Sequence, residues 1–214
     1  MRKLNMRENQ TPGFLITFCG LDGSGKTTIM HRLIDDLEKK HKIFVTKQPT
    51  DMVRNTEIFR TYMDSPVHDA FDYRSLSLLA ASDRLQHVSK VIEPQMKAGQ
   101  IVLSDRYFYS CLSNLRARGF YEDEWIYDIA KSVIKPDLAF FFDVPVEEAV
   151  ARVRQRPEEK NRYIDPSLQE KLREEYINIC KANNGILVST IESEKVCYEL
   201  VRNAVMEVID REKN

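Results

Sequence analysis

Eight residues constrain this chain more than any other stretch. Gly20-Leu21-Asp22-Gly23-Ser24-Gly25-Lys26-Thr27 fits the pattern G-x-x-x-x-G-K-[ST] in full. Glycines let the backbone turn tightly, so successive N–H groups point inward at phosphate oxygens. The helix that must follow adds its positive N-terminal end. Lys26 has the reach for the β- and γ-phosphates of ATP, the Thr27 hydroxyl can ligate Mg²⁺, and Thr28 completes the ATP-contacting set. Three of the chain's seven glycines fall in these eight residues. A chance match in a chain of this length has odds on the order of one in a hundred. The context also fits, because an apolar run, Phe14 to Phe18, precedes the loop and a helical pattern follows it.

That alternation continues along the chain. Ile43–Thr46, Ile101–Ser104, Leu138–Phe142 and Ile186–Ser189 are short, nearly continuous apolar runs. A parallel sheet covered on both faces requires such strands. Helical spacing is predicted over Thr27–Lys40, with Ile29, Leu33, Ile34 and Leu37 in step. A longer pattern covers Tyr73–Ala98, stopped by Gly99 and interrupted by Pro94. Further helices are predicted over Glu122–Val133, Val146–Gln155, Ser167–Ala182 and Glu192–Arg211. The order implies an α/β fold: a P-loop NTPase-type, doubly wound parallel sheet of about five strands with helices on both faces. Ligands in such sheets bind at the carboxyl ends of the strands. Residues 14–214 read as a single domain. Residues 1–13, polar and mixed in charge, read as a loosely held tail.

The third predicted strand ends in Asp105-Arg106-Tyr107. An acidic group there can serve Mg²⁺ beside Thr27, and a guanidinium can bind a second phosphate through its planar fork. A bland surface ion pair is the alternative. Farther on, Arg152, Arg154, Arg156, Lys160 and Arg162 crowd around Pro157. Arginines that close over a moving phosphoryl group stabilise its charge and exclude water. Residues 152–165 are therefore a candidate lid, with Arg154, Arg156 and Arg162 as its catalytic members. The alternative is a solvated helix face neutralised by Glu158 and Glu159.

Other features narrow the class. Lys and Arg (32) nearly balance Asp and Glu (33). Non-specific binding to nucleic acid or membrane favours a basic excess, so neither partner is expected. No apolar stretch approaches the ~20 residues of a membrane span. Cys19, Cys111, Cys180 and Cys197 form no CxxC pair. They suggest neither zinc nor a disulfide framework, and a reducing, cytoplasmic setting is expected. His31, His41, His68 and His87 are scattered and read as structural or solvated, and Trp125 as packing.

The motifs together resemble the thymidylate kinase family, P-loop enzymes that pass the γ-phosphate of ATP to dTMP. The resemblance rests on Leu21–Thr27, Lys47-Gln48-Pro49, Leu78–Arg84, Asp105-Arg106-Tyr107, Pro136-Asp137-Leu138 with Asp143-Val144, and Asn161-Arg162-Tyr163. It implies that Asp22 hydrogen-bonds the acceptor sugar, Arg106 holds the acceptor phosphate and Arg84 reaches the base. Lys47 and Asn114 would join them on the acceptor side. Some members carry an arginine where this loop has Gly23, and those without it keep their catalytic arginines in the lid. The family also implies a homodimer through the long helix 73–98. Four positions depart from its pattern. Ala80 stands where a phenylalanine usually stacks on thymine, Asn114 where an aromatic is common, Gln48 for glutamate and Lys47 for arginine. A missing stacking ring forfeits about 1–3 kcal/mol of base binding. Tyr73, Phe108 and Tyr109 are candidates to replace it. Three readings stay open at this point: a dTMP kinase, a related kinase with another phosphoryl acceptor, and a nucleotide-binding switch without transfer.

Overall fold

The computed structural model describes residues 1–64 and 71–211, so His68 lies outside the described residues. Five parallel strands form one sheet in the order β2-β3-β1-β4-β5. They are β1 (Phe14–Gly20), β2 (Ile43–Lys47), β3 (Ile101–Asp105), β4 (Leu138–Asp143) and β5 (Ile186–Ser189). The helices are α1 (Lys26–Leu37), α2 (Asp51–Arg54), α3 (Glu57–Asp64), α4 (Tyr73–His87), α5 (Glu93–Lys97), α6 (Tyr109–Ala117), α7 (Trp125–Ala130), α8 (Val146–Arg154), α9 (Pro166–Ala182) and α10 (Glu194–Arg211).

β1 lies at the centre because both of its faces are apolar. Leu15 and Cys19 join the core under α4 to α9, whereas Ile16 and Phe18 join the core under α1 and α10. β4 divides in the same way, with Phe141 on the first side and Phe140 and Phe142 on the second. Two-sided burial explains the unbroken apolar runs. The carboxyl ends of β1, β2 and β3 deliver the phosphate loop, Lys47 and Asp105 to one rim.

The predicted strands are present to within about two residues. Three helices were not anticipated: α2, α3 and α6. The long helix is not uniform. α4 passes through a π-helical turn, Val88–Ile92, before α5 begins. Pro94 explains it. Proline has no N–H to give, and its ring crowds the carbonyl four residues back. The wider turn, in which the Glu93 N–H reaches the Val88 carbonyl, lets the chain pass the proline without breaking.

Residues 1–13 correct the expectation of a loose tail. Leu4 and Met6 are buried in the core. The Leu4 N–H donates to Asn183 Oδ1 at 2.9 Å, and Arg7 pairs with Ile134 as an added bridge. Its polar neighbours hid two anchoring apolar side chains.

Candidate active site

The loop after β1 turns on glycines in left-handed conformation. Gly23 has φ +80°, and a Cβ there would lie 2.2 Å from the Ala149 carbonyl oxygen. No larger residue fits without moving α8. Lys26 is buried and folded onto the loop, with Nζ donating to the Leu21 carbonyl at 2.6 Å, the Gly20 carbonyl at 3.2 Å and Ser24 Oγ at 3.3 Å. Burial, then the nearby Arg106 charge, lowers its pKa to about 8 against the opposing pull of Asp22 and Asp105.

Arg106 sits at φ +65°, unusual for a residue with a side chain. Its N–H donates to the Phe18 carbonyl at 2.8 Å, and its own carbonyl accepts from Ser104 Oγ at 2.7 Å. Those bonds aim the guanidinium across the cleft. Nη2 meets Asp22 Oδ1 at 2.5 Å and Nη1 donates to the Tyr176 hydroxyl at 2.9 Å. Arg162 of the lid reaches the other oxygen, Asp22 Oδ2, at 3.1 Å. Burial favours the neutral acid at Asp22. Arg106, Lys26 and Arg162 outweigh it and hold the carboxyl well below the usual carboxylate range. One loop residue thus links the phosphate loop, the second phosphate position and the lid.

Asp105 Oδ1 is buried and has no hydrogen-bond partner. Such an atom is costly unless something satisfies it. Thr27 lines the same cleft. A hydroxyl and a carboxylate at the phosphate position suit Mg²⁺, which keeps several waters and takes only one or two protein oxygens besides substrate phosphates.

The cleft measures about 620 Å³. It brings together the greater part of the residues singled out from the sequence: Leu21, Asp22, Gly23, Gly25, Lys26, Thr27 and Thr28 on one side; Lys47, Arg84, Asp105, Arg106 and Asn114 on the other; Arg156 and Arg162 above. Gly20 and Ser24 are buried within the loop and do not line the cleft. Arg154 does not either. It donates to the Lys160 carbonyl at 2.5 Å and so braces the lid backbone. Phe108 and Tyr109 are core residues with no face on the cleft, and of the three candidate replacement rings only Tyr73 lines it. Gln48 is fully buried with Nε2 3.1 Å from His87 Nδ1, and the Thr50 N–H donates to Asp83 at 2.8 Å, so the β2 loop is tied to α4.

Several lining residues carry no sequence signal. Tyr62 and Phe59 come from unanticipated α3, Arg54 from α2, Arg118 from the end of α6 and Tyr176 from α9. Arg54 and Arg118 sit at helix ends, where a basic residue suits the helix dipole and so marks no ligand site.

A phosphate loop between a strand and a helix, with a second cationic phosphate position and an arginine lid over one cleft, defines a nucleotide-dependent phosphotransferase. The Thymidylate kinase family model matches residues 18–204. A probable thymidylate kinase of Thermococcus kodakarensis is 36% identical over 198 residues, covering 89% of this chain and 94% of that relative. One from Pyrococcus horikoshii is 36% identical over 174 residues, covering 79% and 83%. A thymidylate kinase of Onion yellows phytoplasma is 30% identical over 206 residues, covering 92% and 99%. The chain belongs to the thymidylate kinase family and is a nucleoside monophosphate kinase. Among the described residues no helix is long and apolar enough to cross a membrane.

Proposed function

We propose that the chain transfers the γ-phosphate of ATP to dTMP, giving dTDP and ADP, in nucleotide biosynthesis. The observation that carries this is Asp22: its two oxygens hold Arg106 and Arg162 at the point where the phosphate loop meets the acceptor half of the cleft. Family membership favours dTMP over another acceptor and over a switch without transfer.

Catalysis here is positioning and charge neutralisation. The loop N–H groups and Lys26 hold the donor phosphates. Arg106 orients the acceptor phosphate, and Asp22 and Tyr176 fix its guanidinium. Arg156 and Arg162 close over the transferring group and exclude water, while Arg154 keeps the lid loop in shape. Mg²⁺, held by the Thr27 hydroxyl and the Asp105 carboxylate, would supply further charge neutralisation at the β- and γ-oxygens. Residues 14–214 act as one kinase domain to which residues 1–13 are bound. The working form is a cytoplasmic homodimer joined through helix 73–98, with small nucleotides and not nucleic acid or membrane as its partners.

An ADP-release assay across nucleoside monophosphates tests the reaction. dTMP is expected to be the preferred acceptor. ADP release with another monophosphate but none with dTMP would reject the proposal.

A further inference from the structure

The acceptor half of the cleft lacks the ring that family members use against the base, and its wall is built from other groups. Tyr73, Ser77, Ala80 and Arg84 form one stripe along α4, at the spacing that puts residues on one helix face. Ala80 leaves that face without a platform. Tyr73 does not replace it, because its ring is already engaged: the Arg118 guanidinium lies 4.0 Å from its centroid, and Phe120 stacks at 6.3 Å.

Arg118 is held with unusual completeness. Nε donates to the Tyr62 hydroxyl at 2.5 Å, and Nη1 donates to the Asn114 carbonyl and to Asn114 Oδ1, both at 3.0 Å. The Tyr62 ring is a second cation–π partner at 5.2 Å. Asn114 is itself held in place, because its Nδ2 donates to the Ser110 carbonyl at 2.9 Å. Asn114 therefore orients Arg118. Among the described residues Nη2 has no hydrogen-bond partner, and no carboxylate pairs with Arg118. A fixed, half-buried cation on a cleft wall, with a free donor and no counter-charge, calls for an acceptor from the ligand.

We propose that Arg118 is a specificity-determining residue that reads the base of the acceptor nucleotide; this rests on the kinase function proposed above. With Arg84 it offers the base hydrogen-bond donors and no acceptors. Arg84 is 4% exposed, lines the cleft, and has a buried Nε without a partner. Two guanidinium groups suit a pyrimidine with carbonyl oxygens on its edge, and reject one with an exocyclic amine in the same place.

Steady-state kinetics with dTMP, dUMP and dCMP at saturating ATP provide the test. Arg118→Met should raise KM for dTMP roughly tenfold, the worth of one good hydrogen bond. It should narrow the preference for dTMP over dCMP by a similar factor and leave KM for ATP within about twofold. Arg118→Lys keeps the charge without the fork. It should lose the preference as well, and it carries the test if Arg118→Met does not fold. Unchanged KM for dTMP and unchanged base preference in folded variants would overturn the assignment. No turnover of any monophosphate by the unaltered protein would instead reject the kinase function.

Discussion

Lys26 shows how one residue carries both a cost and a function. Its ammonium is buried against carbonyls of its own loop, with Arg106 nearby. Lys26→Ala should lower kcat/KM for dTMP by roughly 10²–10³-fold, the scale of losing a preorganised charge at a reacting centre. The melting temperature should not fall, since a buried charge is removed; retention of most activity would remove Lys26 from the proposed mechanism. The pH behaviour follows from its lowered pKa. The folded value, about 8, lies below the ordinary 10.5. The unfolded chain therefore binds more protons between those values. The cost of burying the ammonium is full below pH 8 and relieved as pH rises toward 10.5. A bound triphosphate restores the proton, so ATP binding at pH 9 should take up protons. Calorimetry in two buffers of different ionisation enthalpy reads this, and Lys26→Met should abolish it; equal uptake by both proteins would show another group responsible. The loop and Asp105-Arg106 were legible in the sequence because each is contiguous. Arg118 and Tyr62 were not, because their contact joins residues 56 positions apart.

At the scale of elements, strands were read well and helices less well. A strand buried on both faces writes an unbroken apolar run, as Phe140-Phe141-Phe142 does. α6 lacks such a signature: Tyr109, Ser110, Cys111 and Ser113 are all buried, so no polar stripe marks its period. The N-terminal segment misleads in the opposite direction. Its polar composition suggests solvent, yet Leu4 is 2% exposed. Its backbone is held by Asn183, which in turn donates to the Ile179 carbonyl at 2.9 Å and so joins the segment to the end of α9. Leu4→Ala should cost about 2–5 kcal/mol, as buried leucines do. For a chain of this size the melting temperature should drop by roughly 2–4 °C per kcal/mol. Thermal unfolding of the variant reads this directly, and an unchanged midpoint would mean that the segment is not anchored in solution.

At the scale of the whole molecule, the sheet order brings three strand ends to one rim, so the phosphate loop, Lys47 and Asp105 meet although they lie far apart in sequence. The alternation of strands and helices already implied this rim, because right-handed crossovers leave few other arrangements. What covers the outside of the molecule was less legible, since exposed positions obey no packing rule. α4 presents its cleft stripe on one side and Leu78, Ser82 and Gln86 on the other. Leu78 is 45% exposed. A second copy seated on the outer face of α4 would shield Leu78. Light scattering on a sizing column should therefore give the mass of two chains at assay concentration. Leu78→Arg should shift it to one, because like charges would meet at the seam. All the phosphate-handling residues of a cleft come from one chain, so the single chain should retain transfer. α4 also carries Arg84, and releasing its outer face should loosen the acceptor side first. KM for dTMP should then rise while KM for ATP holds. A one-chain mass for the unaltered protein would rule out the dimer, and a rise in KM for ATP alone would show that α4 does not support the acceptor half of the site.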